Sequence, residues 1–217
     1  MKINYKRLIL FFKKNPGLKL FNLGIFFLPS TVLIGATLLL FSLIMAAYKK
    51  RETFLKDKWN LPLFLSSGLI ILSSLRNTFY PSVKEIFFSK DIGYWDISYS
   101  WISLMNWIPL FICFWGFQEY LKNVSYRELF AKSLIAGTFP VIVSFIGQNF
   151  FNWEGPLELF NGLIIWFLKP AHEGLTGLFS NQNTAGFWLA SVFPFSLQLI
   201  LNKQNFCQKK IISLIIS

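Results

Sequence analysis

Apolar residues in this chain come in runs too long for strands and too continuous for amphipathic surface helices. Across 20–48 every residue is apolar or small except for the amide of Asn22. One bilayer crossing needs about 20 such residues, and Pro29-Ser30 stands in the middle of the run. The pattern predicts a helical hairpin, with a short pass, a turn near Pro29 and a return through 31–48. A single long helix kinked at Pro29 is the alternative. Residues 59–75, 101–118, 129–147 and 185–201 predict a third to a sixth span. Residues 211–217 open a seventh apolar run that ends before it can cross. Residues 162–168 are apolar but under half a span, and Lys169-Pro170 closes them. They predict a short re-entrant or interfacial helix. The expected fold is an all-α polytopic membrane protein with about six transmembrane helices plus a truncated seventh, and with that short helix on the outer face.

Charge orients the runs. The basic stretches 1–19, 49–58, 119–132 and 202–210 hold 17 of the 21 Lys and Arg residues. An even number of crossings between successive clusters puts them on one side, and basic loops mark the cytoplasm. The expectation is a cytoplasmic basic N-terminus over 1–19 and a transmembrane helical domain over 20–217, with residues 148–183 outside. Residues 5–12, basic and apolar by turns, are expected to lie along the membrane surface. The short final run makes this domain an expected N-terminal half of a larger membrane protein in the bacterial inner membrane.

Composition agrees with the runs. The chain is 54% hydrophobic and 14% charged, against about 25% charged for an ordinary globular domain. A net charge of +11 would suit nucleic acid, but the basic residues fall in short clusters between apolar runs, so no nucleic-acid partner is expected. Cys113 lies in an apolar run and Cys207 in a basic loop, so no disulfide is expected. No short apolar stretch ends in a small-residue cleavage pattern, and the first apolar segment is expected to be retained. Neither a dinucleotide fingerprint, a P-loop nor a zinc-protease motif occurs, and one His with two distant Cys gives no zinc set. No metal or cofactor is expected. Ionisable residues are almost missing from the spans, so no proton relay is visible.

Small polar groups converge at one place, the stretch 177–184 before the sixth span. Gly177 suits a backbone conformation closed to other residues. Ser180, Asn181, Gln182 and Asn183 offer a hydroxyl and amides, and Asn183 or Thr184 is the expected N-cap of a helix over 185–201. A helix start directs unpaired N–H groups outward and favours phosphate. The plainer reading is that these residues only make a turn and a cap. The candidate binding residues are Gly177, Ser180, Asn181, Asn183 and Thr184, with no catalytic residue among them. Glu154, Glu158, Lys169, His172 and Glu173 surround the apolar piece before it.

Four blocks carry a resemblance. They are Trp101-Ile102-Ser103-Leu104-Met105-Asn106-Trp107-Ile108-Pro109, Phe114-Trp115-Gly116-Phe117-Gln118-Glu119-Tyr120-Leu121, Gly162-Leu163-Ile164-Ile165-Trp166-Phe167, and Gly177-Leu178-Phe179-Ser180-Asn181-Gln182-Asn183-Thr184-Ala185-Gly186. In this order they resemble the O-antigen ligase and polymerase superfamily in its cyanobacterial form, over roughly residues 20–205. The resemblance implies a polytopic inner-membrane glycosyltransferase acting on polyprenyl-diphosphate-linked glycans at the outer face, in surface polysaccharide or lipopolysaccharide synthesis. Two positions depart from the family's pattern. Its Arg three residues before the first Gly of the last block is Gly174 here, and its catalytic His lies in a second half, so His172 does not inherit that role. Some relatives have been labelled inorganic-carbon transporters. A small-anion transporter with a path lined by Asn106 and Gln148 is therefore an alternative, and a non-catalytic remnant is another.

Overall fold

The computed structural model describes residues 15–52, 56–79, 98–170 and 174–201. Among these are six α-helices, one short 3-10 turn and a two-stranded antiparallel sheet. The run over 20–48 breaks into α1 (Pro16–Phe27) and α2 (Val32–Lys50). Pro16 stands at the start of α1, where its missing N–H has no intrahelical partner to lose. After α1 the chain folds back sharply. Gly24 lies against Leu39, and a Cβ on Gly35 would sit 2.6 Å from the Cα of Leu28. The two backbones touch there because neither glycine carries a side chain. Tyr120 ties the far end, its hydroxyl donating to the Ser42 carbonyl at 2.7 Å while its ring lies against Gly17. The run is a hairpin, not one kinked helix. Yet α1 has 12 residues, about 18 Å of rise, against about 30 Å of hydrocarbon, so it does not cross by itself.

The third expected span is α3 (Leu61–Phe79), entered through the 3-10 turn Lys58–Asn60. The fourth lies within α4 (Ser98–Leu121), the fifth within α5 (Val124–Phe151) and the sixth within α6 (Gln182–Leu201). Three of the described helices, α2, α5 and α6, are long and apolar enough to cross a membrane, while α1 and the apolar part of α3 (Leu61–Arg76) are shorter. The surface helix expected over 5–12 and the seventh run at 211–217 lie outside the described residues.

The short helix expected over 162–168 is replaced by strand. β1 (Leu157–Leu159) pairs antiparallel with β2 (Ile164–Trp166), with Leu157 opposite Trp166 and Leu159 opposite Ile164. The turn explains why. Asn161 and Gly162 have φ of +54° and +82°, and the Leu163 N–H donates to the Phe160 carbonyl at 3.2 Å. Two successive positive φ angles define the type I′ turn, which matches the twist of a hairpin and which Asn-Gly adopts readily. The turn sends Ile164–Trp166 back along Leu157–Leu159, so these residues pair as strand and not as helix.

Two compact units divide the chain, Met1–Met45 with Tyr120–Ser217, and Ala46–Glu119. In the first, α5 is the central element. Its small residues admit a neighbouring backbone, and a Cβ on Gly137 would collide with the Phe26 carbonyl of α1. On another part of α5, Leu134 and Ile135 bury against Val192 of α6. Aromatic rings run through this packing, with Phe21 stacked on Tyr120 at 5.2 Å and on Phe130 at 5.8 Å, and Phe130 edge-on to Phe195 at 5.6 Å.

Polar side chains are placed inside this unit and paired there. Asn22 donates to the Leu18 carbonyl at 2.8 Å and accepts from Ser133 Oγ at 3.4 Å. Thr138, fully buried, accepts from the Trp188 indole at 3.0 Å and donates to the Leu134 carbonyl at 2.9 Å. The outer faces are apolar instead, as at Leu33, Phe41, Phe139 and Phe187, the last being 75% exposed. A water-soluble helical domain distributes these groups the other way round. In hydrocarbon, close approach of small residues and interhelical hydrogen bonds hold helices together.

The second unit repeats the apolar exterior. Leu61, Leu65, Leu69 and Leu72 form one exposed stripe along α3 at spacings of four, four and three residues. Lys49 and Glu119 make an ion pair of 2.8 Å.

Candidate functional site

The stretch 177–184 sits where the loop after the hairpin turns into α6. Its geometry begins one helix away, at Gln148, two residues before the exposed Phe150 near the end of α5. Gln148 has 0% exposure, and its amide is fully engaged. The oxygen accepts the Gly177 N–H at 2.7 Å. The nitrogen donates to the Lys169 carbonyl at 2.8 Å and to Thr176 Oγ1 at 3.2 Å. Thr176 Oγ1 in turn accepts the Lys169 N–H at 3.1 Å. Backbone bonds continue the lock, from Leu168 N–H to the Gly177 carbonyl at 3.2 Å and from Phe167 N–H to the Leu178 carbonyl at 3.4 Å. Residues just after β2 are therefore clamped to the start of the polar stretch.

Gly177 is the residue that the clamp requires to be glycine. Its φ is +58°, and a Cβ would lie 3.0 Å from Ser144 Oγ and 3.1 Å from the Phe145 ring. It is buried and acts through its backbone. The N–H of Phe179 closes the turn on the Thr176 carbonyl at 3.1 Å, and the Phe179 ring lies 6.0 Å from that of Trp188.

The N-cap is Asn181, not Asn183 or Thr184, and α6 starts three residues earlier than expected. Asn181 Oδ1 accepts the N–H of Asn183 at 2.7 Å and that of Thr184 at 3.1 Å, while its carbonyl accepts the Ala185 N–H at 3.2 Å. This is an ordinary Asn cap, displaced because Asn183 and Thr184 take the second and third helical positions. The cap uses two of the donors that a phosphate would otherwise meet. The remaining features of the helix start still favour an anion, since no acidic residue occupies the first turn.

Of the five candidate residues, Gly177 builds the turn and Asn181 caps the helix. Ser180, Asn183 and Thr184 are exposed, and their side chains make no hydrogen bond among the described residues. Those three are the groups offered to a ligand. Glu154, Glu158 and Lys169 are exposed on the same loop, whereas His172 and Glu173 lie outside the described residues. Among the described residues no group of three or more His, Cys, Asp or Glu comes close enough to hold a metal ion.

Gly174, where the resembled family has Arg, has φ +98°, and a Cβ there would run into the Gln182 side-chain amide. An Arg at this position would be strained at its backbone. Sequence reasoning missed this, along with Gln148 as the organiser of the loop. Gln148 had been expected to line an anion path, but both ends of its amide are bound inside the protein. Asn106, the other expected lining residue, is exposed on α4. Among known proteins, no family model, no curated protein and no solved structure matches this chain.

Proposed function

We propose that this chain is the amino-terminal part of a membrane glycosyltransferase of the O-antigen ligase and polymerase type. In it, the loop before α6 receives the diphosphate or first sugars of a polyprenyl-linked glycan at the outer face of the inner membrane. The observation that carries the reading is the display of Ser180, Asn183 and Thr184 at a helix start with no acidic residue in its first turn, held in place by Gln148 and Gly177. Hydroxyl and amide groups at such a position suit phosphate oxygens and sugar hydroxyls. The order of the four sequence blocks gives the reading its substrate class. The topology proposed with it has a cytoplasmic N-terminus, with the α1–α2 hairpin entering and leaving on that side and α3, α4, α5 and α6 making four further passes. The loop 152–181 then emerges outside.

The test must separate ligand contact from helix capping. Asn183→Ala and Ser180→Ala remove exposed groups that the fold does not use, while Asn181→Ser keeps a capping oxygen. The proposal predicts that the Asn183→Ala, Ser180→Ala double variant of the full-length protein loses most glycan transfer in cells at unchanged membrane levels. Asn181→Ser should keep transfer. Unchanged transfer in the double variant would remove this loop from the mechanism. The small-anion transport reading loses its support at Gln148, whose two amide N–H donors are both bound inside the protein. Anion uptake by the reconstituted protein would restore it.

A further inference from the structure

The loop between α5 and α6 carries an apolar surface that the protein leaves uncovered. Along α5, Phe139, Val143, Ile146 and Phe150 form one exposed stripe at helical spacing. Beyond the helix end Trp153, and in the hairpin Leu159, Phe160 and Leu163, are exposed as well. Phe160 is 77% exposed and holds φ +53°. A left-handed backbone disfavours a bulky residue by about 1 kcal/mol, and no burial within the protein offsets it.

The hairpin is firmly held at its base. The Trp166 indole N–H donates to the Ser30 carbonyl at 2.9 Å, and the Gly155 N–H to the Leu168 carbonyl at 2.9 Å. Its level relative to a membrane follows from its backbone. A two-stranded sheet has two outer edges of unpaired N–H and C=O groups, which need water and cannot enter hydrocarbon. Its turn, however, is aromatic and aliphatic. Both demands are met together only at the boundary between headgroups and acyl chains, where aromatic rings settle. Among the described residues of the loop the exposed charges are Glu154, Glu158 and Lys169, which give no competing attraction of one sign.

We infer that the hairpin turn, Phe160 to Leu163, is seated in the interfacial layer of the same bilayer that α5 crosses. The inference rests on the membrane reading of α5 but not on glycan transfer. The seated turn anchors β2, and β2 leads directly into the Gln148 clamp, so lipid contact fixes the height of the 177–184 stretch above the membrane.

The test uses the full-length protein in phosphatidylcholine vesicles, with Cys113→Ser and Cys207→Ser as background. Phe160→Cys carries a nitrobenzoxadiazole fluorophore, and Leu163→Cys provides a second site in case one label disturbs the turn. Spin labels at a shallow acyl position should quench both sites about twice as strongly as labels deep in the bilayer. Aqueous iodide should quench them less than it quenches the same dye at Ser180→Cys. Phe139→Cys, in the middle of α5, should respond most to the deep label. If Phe139→Cys behaves so while Phe160→Cys and Leu163→Cys respond to iodide like Ser180→Cys, the hairpin stands in water and the inference is overturned. Deep quenching stronger than shallow at the turn overturns it too. Absence of lipid quenching at Phe139→Cys would overturn the membrane reading itself, and this inference with it.

Discussion

The packing of α1 on α5 and the loop between α5 and α6 lie in one unit but are held by opposite means. Where α1 meets α5, the backbone of Phe26 rests on Gly137 with no room for a Cβ, and Ser133 Oγ reaches Asn22 Oδ1 only at 3.4 Å. Shape does the holding there. In the loop, a single buried amide, Gln148, collects donors and acceptors from Lys169, Thr176 and Gly177. Directional bonds do the holding there. Helices satisfy their own backbone and can be joined by fit alone, whereas a loop beside a membrane must have its backbone groups answered one by one. The second kind of region therefore depends on single residues much more than the first.

This difference can be broken at three places, in descending order of effect. Gln148→Leu keeps the volume but orphans the Gly177 N–H and the Lys169 carbonyl, and is expected to destabilise by about 3 kcal/mol. Thermal unfolding in detergent should show it, and protease should cut first within 167–178. Cleavage elsewhere would mean that the loop does not depend on this amide. Gly137→Val forces α1 away from α5 by overpacking, with an expected loss of about 2 kcal/mol. A loss as large as that of Gln148→Leu with cleavage in the same loop would erase the distinction between the regions. Asn181→Ala removes the cap of α6 and should destabilise by about 1 kcal/mol, while Asn181→Asp should stay near the original. Equal losses from both would show that the amide has another role than capping.

The sequence read the first kind of region well and the second poorly, for physical reasons. Long apolar runs announce helices because the bilayer demands length, and Pro29 with its flanking small residues marked the fold-back between α1 and α2. The runs did not show that α1 would stop at 12 residues, because Pro16 and Pro29 bound it more tightly than hydropathy does. In the loop, apolar content suggested a helix over 162–168, while Asn161-Gly162 carried the stronger local signal for a hairpin turn. Gly177 was legible as a positive-φ glycine. Its partner was not, because Gln148 lies 29 positions away and only the tertiary fold joins them. The cap was displaced from Asn183 to Asn181 for a local reason, since Asn181 Oδ1 reaches the donors of both Asn183 and Thr184. Gly174 read as a missing Arg in the sequence, yet its φ of +98° makes it a position that resists any side chain.

The central claim is a membrane-embedded helical protein that presents the 177–184 stretch on its outer side. Its most direct test is the accessibility of one introduced thiol, Ser180→Cys, in the Cys113→Ser, Cys207→Ser background, probed in intact cells whose outer barrier has been opened. The account predicts reaction with a membrane-impermeant maleimide before the inner membrane is permeabilised, and no further gain afterwards. Reaction only after permeabilisation would place the loop in the cytoplasm and contradict it.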